Sequence, residues 1–171
     1  ERGENEWPIQ RTKWTRLFLD PAHMSLERKP TAKKAAISYD GMGDGHTFFL
    51  PPAKEDTEIT GPLAAKLFVS SETTDADLFL VVRLFSADMK EVTFKGTVDP
   101  HTPIAQGWLR ASHRKLDTKK SKPWRPWHSH DEKQPLKPGS IYELDIEIWP
   151  TCIVVPAGYR LALSVRGKDY E

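Results

Sequence analysis

The sequence predicts an all-β protein built as an antiparallel sandwich. Three observations carry that reading. Apolar and polar residues alternate with period two in several stretches, as half-buried strands require. Fourteen prolines and ten glycines interrupt the chain often. No helical pattern of ten or more residues separates the alternating stretches, which excludes a βαβ arrangement.

In chain order, residues 14–19 (WTRLFL) and 46–50 (HTFFL) read as strands. Between them, residues 21–34 form a polar connection, with one helical turn expected at residues 25–28. Residues 63–71 (LAAKLFVSS) make the next strand. In residues 77–85 (DLFLVVRLF), Leu78, Leu80, Val82 and Leu84 oppose Phe79, Val81, Arg83 and Phe85. Both faces are largely apolar, so this strand is expected to be central and covered on both sides. Residues 91–96 (EVTFKG) and 107–112 (GWLRAS) read as shorter strands. In residues 140–150 (SIYELDIEIWP), Tyr142, Leu144, Ile146 and Ile148 share one face. Ile141, Glu143, Asp145, Glu147 and Trp149 share the other, giving a strand with one wet face. Residues 159–165 (YRLALSV) close the series. Gly61 with Pro62, Asp88 to Lys90, Pro138 with Gly139, and Ala157 with Gly158 supply turn residues between strands.

A chain of 171 residues suffices for one domain with a sizeable core. We read residues 58–171 as the sandwich and residues 1–57 as entering strands and a flanking segment of the same domain. Residues 99–138 form a long insertion, interrupted by the strand at Trp108. Long ordered loops on a sandwich cover something or contact a partner.

Lys and Arg number 25 against 24 Asp and Glu, a net charge of +1. That balance argues against nucleic acid as the main partner. The densest basic run, residues 110–122 (RASHRKLDTKKSK), reads as a solvated loop. No apolar run approaches the roughly 20 residues of a membrane span, so no membrane partner is expected. The opening ERGENEWPIQ lacks the pattern of a signal peptide. With no starting Met, the chain is expected to be a fragment or a processed form. The single cysteine, Cys152, excludes an internal disulfide and permits a reducing compartment without requiring one. A cytoplasmic location is slightly favoured. In its apolar setting WPTCIVVP the thiol is expected to be buried and inert.

A search for chemistry assigns no catalytic residue, no cofactor and no metal ligand. The G-x-S-x-G turn of serine hydrolases is missing. GMGDG at residues 41–45 has the wrong spacing for a dinucleotide loop and reads as a flexible turn. Glu143, Asp145 and Glu147 stand roughly 7 Å apart on one strand face, a spacing that a glycosidase pair tolerates. A row of acids also keeps a sheet edge soluble. Asp75 and Asp77 suit a turn cap better than a calcium site. His128 and His130 sit in an H-x-H spacing beside Asp131 and Glu132, with His101 and His113 further off. None is at a recognised zinc spacing. Pro123, Pro126 and Pro135 stiffen this stretch, and its histidines are expected to hold the loop by local hydrogen bonds. Trp108, Trp124, Trp127 and Trp149 suit either a sugar-stacking platform or burial against a neighbouring domain. For the loop residues Trp124 and Trp127 burial against a domain is favoured.

Residues 56–85 (DTEITGPLAAKLFVSSETTDADLFLVVRLF), 99–114 (DPHTPIAQGWLRASHR) and 135–165 (PLKPGSIYELDIEIWPTCIVVPAGYRLALSV) carry a family resemblance. In this order they resemble the C-terminal non-catalytic domain of X-Pro dipeptidyl-peptidases, which also occurs in cocaine esterase-like (CocE/NonD) acyl hydrolases. Residues 7–20 (WPIQRTKWTRLFLD) are similar to the strand that enters this domain after the catalytic part. The resemblance implies a jelly-roll β-sandwich, similar to galactose-binding folds, packed on an α/β-hydrolase domain that carries a Ser-Asp-His triad. No triad residue maps onto this chain, so it is expected to hydrolyse nothing by itself. In the family a further strand follows the segment that ends here at Glu171. Either the chain is cut short here or the sandwich closes differently; a missing strand would leave an exposed edge, and a homodimer through that edge or another interface is expected.

The leading reading is an accessory C-terminal β-domain of a serine acyl hydrolase, either an esterase or an X-Pro dipeptidyl-peptidase. It would shape the substrate entrance and support oligomerisation. Trp108, Trp124, Trp127, His128 and His130 are the residues expected to face the partner domain or a ligand. The alternative is a carbohydrate-binding module that uses Trp108, Trp124 and Trp127. A third reading is a small enzyme that uses Glu143, Asp145 and Glu147.

Overall fold

The alternating stretches of the sequence become nine strands in a computed structural model that describes residues 3–32 and 34–170. They are β1 (Phe18–Asp20), β2 (Ser25–Glu27), β3 (His46–Phe49), β4 (Thr57–Val69), β5 (Asp77–Phe85), β6 (Glu91–Val92), β7 (Ala105–Arg110), β8 (Tyr142–Val155) and β9 (Arg160–Arg166). Seven form one sheet in the order β1-β2-β3-β9-β5-β6, with β7 also paired to β5. β4 and β8 form the second. All pairings are antiparallel except β2 with β3, which touch at Ser25 and Phe49. The expected all-β jelly-roll sandwich is the architecture found.

The two sheets meet on the rows that alternation picks out. Leu78, Leu80, Val82 and Leu84 of β5 are buried against Leu144, Ile146 and Ile148 of β8, joined by Leu67, Phe48, Leu109 and Val165. Leu80 and Ile146 are 0% exposed. Burying a side chain of that size contributes about 1.5–3 kcal/mol relative to leaving it in water. The central position of β5 follows the sequence reading. Val81 and Phe85 on its second face are buried too, with Phe49 5.2 Å from Phe85 between ring centroids.

Four expectations are corrected. Gly61 and Pro62 do not end a strand. They lie inside β4, where the register with β8 shifts between Gly61 and Leu63. There Pro62 opposes two residues, Trp149 and Pro150, in a β-bulge that tolerates prolines because the ladder is already interrupted. The extra residue reverses the parity of β8. Leu144, Ile146 and Ile148 face the core before the bulge, and Thr151 and Val155 are buried after it. This moves Cys152 to the outer face, where its Sγ lies 3.2 Å from Thr60 Oγ1. The thiol is therefore exposed rather than buried. Residues 25–27 are strand β2 rather than a helical turn. One turn of helix yields a single backbone bond for several fixed residues, whereas pairing with β1 buries Leu26 opposite Leu19. The strands expected at residues 14–19 and 91–96 shrink to β1 and β6, which lie at the ends of the sheet path.

The sheets come closest where β7 passes β8. A Cβ on Gly107 would stand 2.2 Å from the Glu147 carbonyl oxygen and 3.0 Å from Ile148 Cα. This approach sets Trp108 edge-on against Trp149, with centroids 5.4 Å apart and planes at 79°. Gly107→Ala is expected to lower the unfolding free energy by about 1–3 kcal/mol through overpacking. A urea melt checks the cost, and tryptophan fluorescence reports the separation of Trp108 from Trp149.

Candidate interface site

The long loop of residues 99–138 is tied down at its middle by one carboxylate. Asp75 accepts bonds from the backbone N–H of Ser112 at 2.9 Å, the Ser112 hydroxyl at 2.6 Å and the Ala76 N–H at 3.0 Å. It caps its own turn through Ala76, as the sequence reading favours, and also ties the distant Ser112, whereas Asp77, expected to be a turn cap too, pairs with Arg110. Ser112 is 0% exposed, within a short 3-10 turn (Ala111–His113) that follows β7. Burial works against ionisation of Asp75. The Ser112 and Ala76 donors, with the charge of Lys133, outweigh it and hold the carboxyl below its ordinary value. The return limb is fixed by Gln134 N–H to Ser112 O at 2.7 Å and by Leu136 N–H to Thr74 O at 2.7 Å. Arg114 donates to the carbonyls of Ala111 and Gln134 and lies 4.5 Å over the Tyr142 ring.

Between these ties the loop folds back on itself. Leu116 bridges His128, and Lys122 bridges Arg125. Asp117 N–H donates to Trp127 O at 2.8 Å, and Ser129 N–H donates to Lys115 O at 3.0 Å. The loop then lies along β8. Arg125 Nε is 3.2 Å from a Glu147 carboxylate oxygen. His128 Nε2 is 3.0 Å from the Asp145 carbonyl oxygen. Burial pushes the half-buried His128 imidazole down from its ordinary value, so it is neutral at neutral pH.

His128 thus holds the loop to β8 by a local hydrogen bond. His130, at a φ of +54°, meets His113, with Nδ1 atoms 3.4 Å apart, and its ring centroid stays 6.1 Å from that of His128. Among the described residues, no group of three or more His, Cys, Asp or Glu is placed to hold a metal ion. Asp131 and Glu132 pair instead with Lys115, at 3.1 and 3.0 Å.

The tryptophans are not brought together as one platform. Trp108 pairs with Trp149, Trp124 stacks on Trp14, and Trp127 lies under Arg125 and Lys120. Among the described residues no ring contact joins Trp108, Trp124 and Trp127. Trp14 was missed in the sequence as a partner. It is 110 positions from Trp124, and no local pattern announces the contact.

The acid row is neutralised rather than poised. Lys66 pairs with Glu143 and Asp145, and Arg125 pairs with Glu147. Asp77 takes Arg110 in a two-pronged bond at 2.7 and 2.8 Å. The basic run is therefore not uniformly solvated, because Arg110, Arg114 and Lys115 all have fixed partners. GMGDG is a closed turn, with Gly43 N–H bonded to Asp40 O at 2.7 Å. Asp44 in it pairs with Arg166 at 2.7 Å. On the outer face of the large sheet Arg83 pairs with Glu91, which also accepts the Tyr170 hydroxyl at 2.9 Å. Burial, then that bond to Glu91, pushes the Tyr170 phenol up to about 12. Sequence reading passed over this network, whose members come from β5, β6, β9 and the turn at residue 44.

Among the described residues, no serine, threonine or cysteine side chain is hydrogen-bonded to a histidine. The fold and the pinned loop define a β-sandwich of the non-catalytic kind found in larger hydrolases. The chain belongs to the X-Pro dipeptidyl-peptidase C-terminal non-catalytic domain family, whose model matches residues 1–171. A crystal structure of a CocE/NonD family hydrolase from Staphylococcus aureus is 28% identical and overlays with a TM-score of 0.94, over 99% of this chain and 31% of that one. Proteins named "Putative serine esterase" from Mycobacterium bovis and Mycobacterium tuberculosis are each 29% identical over 128 residues, 72% of this chain and 19% of theirs. The chain thus spans about a fifth of these curated relatives and about a third of that crystallised hydrolase.

Asp75→Asn is expected to lower stability by about 1–3 kcal/mol at neutral pH, since it removes the charge on which the buried Ser112 donors converge. Because the folded carboxyl titrates below its ordinary value of 3.8, the stabilisation is complete above that value. It is lost as pH falls through the lower, folded one. Urea melts across the acid range should therefore show the gap between the two proteins closing as pH drops.

Proposed function

We propose that this chain is the accessory C-terminal β-sandwich of a larger serine acyl hydrolase, an esterase or X-Pro dipeptidyl-peptidase. Residues 1–171 act in it as one jelly-roll unit beside an α/β-hydrolase domain. One observation carries the reading: 99% of the chain overlays on 31% of a CocE/NonD hydrolase with a TM-score of 0.94. The chemistry, a serine attacking an ester or amide carbonyl, belongs to the hydrolase domain. The sandwich contributes rigid surface. The loop pinned by Asp75 presents Trp124, Trp127, His128 and His130 at the domain boundary, and Trp108 lies at the β7–β8 contact. These five residues face the partner domain and shape the substrate entrance.

Expression of residues 1–171 alone should give no hydrolysis of p-nitrophenyl acetate. The same chain joined to its upstream hydrolase domain should hydrolyse it. Turnover by residues 1–171 alone would overturn the reading.

The same surface logic supports a homodimer. Among the described residues β4 has β8 as its one strand partner, which leaves a 13-residue edge unpaired. Phe68 on this strand is 68% exposed. Such an edge is a template for pairing with another chain. Sedimentation equilibrium should give a dimer, and Phe68→Glu should shift it to monomer. A monomer without the substitution would exclude this interface.

A further inference from the structure

The tip of the long loop and the N-terminal arm meet where Trp14 stacks on Trp124, with centroids 4.9 Å apart and planes 21° from parallel. Cations crowd this contact. Lys13 and Arg16 flank Trp14 in the chain. Lys122 and Arg125, bonded to each other through their backbones at 3.0 and 2.9 Å, flank Trp124. Lys120 and Arg125 lie 5.4 and 4.9 Å from the centre of the Trp127 ring. Lys119 precedes Lys120 in the chain, and all six cations are exposed.

Negative charge here is scarce. The Asp117 carboxylate is taken up by the N–H groups of Lys119 and Lys120, with Lys120 Nζ 3.8 Å away. Glu147 is held by Arg125. Lys13, Arg16, Lys119 and Lys122 have no ion-pair partner among the described residues. The whole chain carries only +1, so this concentration is a local feature and not a consequence of composition.

We propose that this surface docks a carboxylate-rich face of the hydrolase domain. The inference rests on the reading that Trp124 and Trp127 face that domain, and it specifies the chemistry they meet. Tryptophan and arginine are the residues that anchor protein interfaces. Lysine is strongly hydrated and enters a contact favourably when acids on the other side replace its water. The Trp14–Trp124 stack, with Trp127 under Lys120 and Arg125 beside it in the chain, therefore fits an apolar spot rimmed by Asp and Glu. A lipid surface is the weaker match. Each of the three rings is already engaged on one face by another ring or by a cation, so none projects free to insert among acyl chains.

Zero-length carbodiimide crosslinking of the full-length protein, read by mass spectrometry, tests this directly, because the reagent joins lysine amines to touching carboxylates. Lys119 and Lys122 should link to Asp or Glu outside residues 1–171. Added salt should weaken these links, and the double variant K119E/K122E should lose them. The internal link from Lys66 to Glu143 should persist in that variant and report an intact sandwich. If other lysines of this chain reach the hydrolase domain while Lys119 and Lys122 link only within residues 1–171, the docking face lies elsewhere. The accessory-domain reading would then stand and this inference would fall. If no lysine of the chain reaches another domain, both fall. Co-sedimentation with phosphatidylserine vesicles that K119E/K122E abolishes would overturn the inference in favour of an anionic membrane.

Discussion

Everything in this molecule depends on two apolar rows finding each other. Leu78, Leu80, Val82 and Leu84 on β5 close against Leu144, Ile146 and Ile148 on β8. Their burial is the main favourable term available to a chain with little helix. It forces the two sheets into register. Once Gly107 lets β7 pass within contact of the β8 backbone, the outer sides of the strands are committed as well. The acid row of β8 must then face outward, and the outer face of β5 must be covered by Phe49 and the Tyr170 network.

Polar groups finish what the core begins. The loop of residues 99–138 has few large apolar anchors beyond Ile104, Leu109 and Leu136. Its shape is held instead by directed bonds: Asp75 to Ser112, Arg114 to two carbonyls, and His128 to the β8 backbone. Buried polar groups demand partners, so a single carboxylate that satisfies three donors can fix a long segment. The same economy of charge leaves some cations unmatched. The acids of β8 and of residues 131 and 132 are spent on Lys66, Arg125 and Lys115, and the excess gathers at the loop tip beside Trp14 and Trp124.

The sandwich carries a shaped, charged rim whose side chains are mostly held by fixed partners. This agrees with membership in a non-catalytic domain family. The pairs that look catalytic in the sequence are structural once placed. The two rings of H-x-H stay neighbours but take different partners, His128 the β8 backbone and His130 the His113 ring. The three acids of β8 become ion-pair partners.

The sequence by itself determined the fold class, the central strand, the wet face of β8 and the lack of a nucleophile turn. Each is written in local order, in period-two alternation or in a fixed motif, which the backbone reads without help. Only the tertiary structure decided where β8 changes face. One residue inserted at Trp149 and Pro150 moves Cys152 from core to surface, and alternation cannot show it until β4 is laid alongside. Only the tertiary structure joined Trp14 to Trp124 and His113 to His130. The first joins the arm to the loop because the core rows, once buried, bring the two together; the second closes the fold-back within the loop itself.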